Sequence, residues 1–108
     1  MSDLNDKDAA RAALEQVWEE LAVIVDEIKV RQEEARQNPS VLNDPRVSAD
    51  NRWLTVFERE LSEVQTVYES RAQVSVESLR AATEAGRKLL NIITQARERV
   101  APAPAAYA

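Results

Sequence analysis

The sequence predicts an all-α fold, an antiparallel helical hairpin with a long second helix, or a three-helix bundle if that helix breaks near Ser70–Ser78. Three observations carry this. Apolar residues recur every three or four positions over two long stretches, the pattern of amphipathic helices. There is one glycine in 108 residues. The four prolines stand at 39, 45, 102 and 104, outside both stretches.

The first helix is expected over 6–37, with Asn5 or Asp6 as its cap and Asn38-Pro39 as its stop. At ~100° per residue, Leu14, Val17, Trp18, Leu21, Ile24, Val25 and Ile28 fall within one arc of ~120°, a single buried stripe. Val23 and Val30 lie on the opposite side. Residues 38–50 (NPSVLNDPRVSAD) hold two prolines and several turn formers and read as a connection. Ser48 or Asp50 is the expected cap of the second helix, over 49–100.

Along that second helix the stripe runs through Leu54, Phe57, Leu61, Val64, Tyr68, Ala72, Leu79, Ala82, Gly86, Leu90, Ile93 and Val100, within ~40° of one direction. Such phase continuity favours one unbroken helix. The mediocre helix formers Ser70, Val74, Ser75, Val76 and Ser78 mark the place where a turn would come. The tail APAPAAYA, residues 101–108, is too rich in proline and too poor in large side chains to extend the helix and is expected to be disordered. Residues 1–100 thus form one helical domain. Leu14, Leu21 and Ile28 are expected to face Leu54, Phe57, Leu61 and Tyr68 in its core.

Composition narrows the chemistry. Histidine and cysteine are absent, which removes the commonest general base, the thiol nucleophile and the usual zinc and haem ligands. A single glycine excludes a glycine-rich phosphate cradle. The pairs Glu15/Glu19 and Glu60/Glu63 lie outside the apolar stripes and lack the histidines of a bundle metal site, so they read as solvated faces. No enzymatic activity, cofactor or metal is expected. Nineteen acids against fourteen bases give a net charge of −5, which opposes binding to nucleic-acid phosphates. The charge is uneven: residues 6–37 carry nine acids and five bases, and residues 80–99 two acids and five bases. The acidic, polar start MSDLNDKD lacks the form of a signal peptide and no stretch reaches the ~20 apolar residues of a membrane span, so a cytoplasmic location is expected.

The candidate functional surface is the end of the second helix. In the hairpin register residue 6 meets roughly residue 81, which leaves an overhang of ~19 residues, ~28 Å long. It contains the most apolar run in the chain, Leu89, Leu90, Ile92 and Ile93. Ala85, Leu89, Ile92 and Ala96 form a stripe ~60–100° from the core direction, with Val56, Val67 and Val74 on the same side. The apolar arc is then wider than one neighbouring helix needs. It suits a second packed helix, another copy of the chain in a homo-oligomer, or an amphipathic helix of a protein partner. In the partner reading Arg87, Lys88 and Arg97 steer an acidic rim.

The last part of the chain, from Ser78 onward, resembles the final helix and tail of FlgN-type flagellar export chaperones, particularly the short alphaproteobacterial kind. The resembling residues are Leu79 and Arg80, then Arg87, Leu89 and Leu90, then Ile92, Ile93 and Ala96, followed by the proline-alanine tail with its tyrosine. Ala85-Gly86 stand where that pattern usually has an asparagine. The resemblance implies an antiparallel helical protein that holds the C-terminal helix of a client, such as a hook-filament junction subunit, before secretion. The alternative is a self-assembling structural protein: a coiled-coil oligomer, a phage assembly component or a granule-associated protein.

Overall fold

The computed structural model describes residues 2–100. Met1 and the tail at 101–108, with the expected disorder of the latter, lie outside the described residues. Four helices follow one another: α1 (Ser2–Gln37), α2 (Pro45–Val56), α3 (Glu58–Glu69) and α4 (Val76–Val100). The fold is an all-α three-helix bundle, because α2 and α3 act as one bent rod. At Phe57 the backbone leaves helical geometry (φ −105°, ψ 18°). Its N–H still donates to the Trp53 carbonyl, and its own carbonyl still accepts from Leu61, so the helical ladder continues across the bend.

α1 begins at Ser2, ahead of both expected caps. It ends at Asn38, whose side chain accepts from the Ser40 N–H and caps a short 3-10 turn, Pro39–Asn43. The expected connection over 38–50 is therefore shorter in fact. Asp44, rather than Ser48 or Asp50, caps the second helical segment by accepting from the Arg46 N–H at 2.9 Å, and Pro45 occupies the first helical position, where a missing N–H costs nothing. The Arg46 side chain also bonds this carboxylate, and together these contacts hold Asp44 below the usual carboxylate range.

The unbroken second helix does not form. The Ser70 N–H donates to Thr66, Arg71 to Tyr68 and Gln73 to Ser70, winding the chain into a turn. Ser75 then caps α4 by accepting from the Ser78 N–H at 3.2 Å. The weak helix formers of this stretch are the local cause. The tertiary cause is the apolar end that a hairpin would leave in water: after the turn, α4 runs back along α2–α3 and beside α1. α1 and α4 are consequently parallel, and no other two of the four helices pack together so extensively. Gly86 allows it, since a Cβ there would overlap Val17 Cγ1.

The core lies where the three rods meet. Leu14, Val17, Leu21 and Ile28 of α1 pack with Trp53, Leu61 and Val64 of α2–α3 and with Leu79, Ala82, Leu89 and Ile93 of α4. Of the expected hairpin core, Leu54, Phe57 and Tyr68 are only half-buried at its margin. α1 sets the length of the particle: its 36 residues span ~54 Å, against a longest dimension of 58 Å.

Candidate functional site

The return of α4 redistributes the residues expected to bind a partner. Among the described residues no overhang remains. Leu89 and Ile93 are core residues, covered by α1 and α2. Leu90 is half-buried against the core. Arg97 is committed elsewhere: its Nε donates to Asp50 Oδ1 at 3.1 Å and its Nη2 lies 3.6 Å from Glu27. Arg87 is exposed on the α1 side of α4, near Ala9, Ala13 and Arg80, and Lys88 is exposed. Ile92 and Ala96 line one depression between α2–α3 and α4, and Ala85 lines a second beside the same pair of rods; the two are the upper and lower parts of a groove on the side away from α1.

This groove is built by the antiparallel pairing of α2–α3 with α4. Its upper part is lined by Ala49, Val56 and Phe57 on one wall and by Ile92 and Ala96 on the other, with Trp53 at its base. Its lower part is lined by Val64, Val67, Ala81 and Ala85. Val56 is 60% exposed and Ile92 38% exposed. Small residues at 49, 81, 85 and 96 keep the walls low, so that the apolar surface is open rather than roofed. The upper end is bordered by the exposed Arg52 and Arg99, the lower by the exposed Glu60 and Glu63.

The walls are held at fixed spacing. Trp53 Nε1 donates to the Leu89 carbonyl at 3.2 Å, across from α2 to α4. Asp50, one residue turn before it, is 1% exposed and accepts from Arg97 of α4 and from Arg31 of α1 at 2.6 Å. Gln32 donates to Asn51 beside it. A charge so far from water is tolerable only with such partners, and here they tie all three rods together. The sequence reading missed both Trp53 and Asp50. The usable signal was their phase: Val47, Asp50 and Trp53 follow at three-residue spacing on one side of α2, which puts an acid in the middle of an apolar stripe.

A depression between α1 and α2–α3 is lined by Trp18, Val25, Lys29, Leu54 and Glu58. Among the described residues no cluster of three or more His, Cys, Asp or Glu is placed to hold a metal ion, and no helix is long and apolar enough to cross a membrane. Comparison of the chain with protein-family models, with curated proteins and with solved structures yields no match.

Proposed function

We propose that this protein is a non-enzymatic helix-binding adaptor, cytoplasmic, whose α2–α4 groove receives an amphipathic helix of a client protein. The observation that carries the reading is the exposure of Val56 and Ile92 on facing walls of one groove, while Leu89 and Ile93 of the same helix are covered. A helix laid along such a groove fills it with anchors at i, i+3, i+4 and i+7. The bordering Arg52 and Arg99 favour a client helix with acidic flanks and make its association salt-sensitive. The resemblance of residues 78–108 to FlgN-type chaperones supplies the candidate client class, the C-terminal helix of a hook-filament junction subunit. The groove differs from the nine-residue surface read from the sequence. It keeps Ala85, Ile92 and Ala96 and replaces the rest with residues of α2–α3.

The test is a binding titration with a fluorescent peptide of that helix. Val56→Asp with Ile92→Asp should weaken binding by roughly tenfold or more, the size of a lost anchor, with the circular dichroism spectrum unchanged. Unaltered affinity in the folded double variant removes the groove from consideration.

A further inference from the structure

The chain itself carries a helix face of the kind the groove would take. On α1, Leu14, Leu21 and Ile28 point into the core, and Val23 and Val30 lie on the opposite flank, 57% and 58% exposed. Seven residues apart, these valines fall within ~20° of each other around the helix. Exposed acids surround them: Glu19 and Asp26 to one side, Glu20 and Glu27 to the other, and Glu34 one turn on. Of these, Glu27 is engaged by Arg97. Among the described residues no ion pair engages Asp26 or Glu34, nor Arg52 or Arg99 at the groove. The four exposed large hydrophobic residues of the described chain are thus divided in two pairs on opposite sides of the bundle: Val23 and Val30 beside Asp26, Glu27 and Glu34, with Arg31 there paired to Asp50, and Val56 and Ile92 beside Arg52 and Arg99.

We infer that the groove of one molecule binds the outer face of α1 of a second copy, Val23 and Val30 seating against Val56 and Ile92 while Asp26 and Glu34 meet Arg52 and Arg99. The inference rests on the groove being a helix acceptor and adds an occupant. The face cannot reach the groove of its own chain, because the inner side of α1 is packed on α4 and the groove opens on the far side of the bundle. The contact joins two different patches, so a pair of molecules leaves one groove and one α1 face free, and assembly continues head to tail. A client helix and a second copy then compete for one groove.

The experiment is light scattering over a concentration series, with mixing of two variants. The wild-type mass should rise with concentration past that of two 12.1 kDa chains. V23D/V30D keeps a groove but lacks the docking face, and V56D/I92D keeps the face but lacks the groove. Each alone should remain a monomer, and an equimolar mixture should form a 1:1 complex that grows no further. A charge exchange guards against effects on folding: R52E/R99E should abolish assembly, and adding D26K/E34K to the same chain should restore it. A wild type that stays monomeric to about 1 mM, or a V23D/V30D variant that assembles like the wild type, overturns the inference. Retained binding of the client peptide by V23D/V30D would in those cases leave the adaptor reading standing. Should V56D/I92D both assemble and bind the peptide normally, both readings fall.

Discussion

Each end of the bundle is tied by arginine to carboxylate, but the surroundings of the two ties differ. At the end where α2 starts, Asp50 is sealed from water and held by Arg31 and Arg97. At the end where α3 turns into α4, Arg71 meets Glu15 at 2.7 Å with both side chains about one-third exposed, and its guanidinium lies 4.2 Å over the Tyr68 ring. Tyr68 in turn stacks on Trp18 at 5.6 Å. When a partner is lost at the second end, water takes its place. At the first end the carboxylate itself is 1% exposed, so water reaches it less readily. Similar pairs therefore differ in consequence: one clamps three rods in register, and the other adds a modest contact to an aromatic stack. The groove between α2–α3 and α4 opens beside the clamped end, where Trp53 and Arg97 hold α2 against α4 and fix the spacing of its walls.

The largest effect should follow from stranding the buried charge. Arg31→Met with Arg97→Met leaves Asp50 unpaired and should cost about 3–5 kcal/mol in urea unfolding. Adding Asp50→Leu should return much of that loss, because an apolar residue needs no partner. If the triple variant is no more stable than the double, the penalty comes from lost arginine packing and not from the carboxylate. At the exposed end the coupling of Arg71 with Glu15, measured by a double-mutant cycle, should be only ~0.2–1 kcal/mol. A coupling as large as that at Asp50 would erase the distinction between the ends.

The smallest effect belongs to Asp44, whose pair with Arg46 is open to solvent. Asp44→Asn keeps a good helix cap but gives up the charged bonds to the Arg46 side chain, so thermal melting at neutral pH should fall only slightly. Since the Arg46 side chain and then its N–H lower the Asp44 pKa, the contribution is present above the ordinary carboxylate pKa and fades as pH falls through the lowered one. The variant should accordingly lose less stability than the wild type on acidification below about pH 4. A steeper acid decline in the variant would reverse the sign.

Much of this architecture was legible, and the remainder had physical reasons to be hidden. The stop at Asn38-Pro39 and the core stripe through Leu14, Leu21 and Ile28 follow from proline chemistry and helical period, which are local. The serines from Ser70 onward marked the turn, yet apolar phase argued against it. Period reports which side of a helix is buried and says nothing about whether its axis reverses; α3 and α4 both face the same core, so their phases agree across a turn. Asp50, like Ser48, is a cap candidate by sequence because such residues usually stand before a helix. Its burial depends on Arg31 and Arg97, 19 and 47 residues away in the chain, a pairing no local pattern contains. The groove was half visible: Ile92 and Ala96 were placed correctly off the core direction, but their opposite wall, Val56 and Phe57, required the path of α4.

The parallel seating of α4 beside α1 also bears on the timing of folding on the ribosome. Leu14, Val17 and Leu21 find their main cover on a helix that is synthesised only after α2 and α3, and the Gly86 notch that admits Val17 comes later still. For most of translation the apolar stripe of α1 has no lasting shelter, so closure must await release of α4 from the exit tunnel. A nascent chain stalled before residue 76 should accordingly be held by chaperones or cut by proteases, and one released with α4 complete should not.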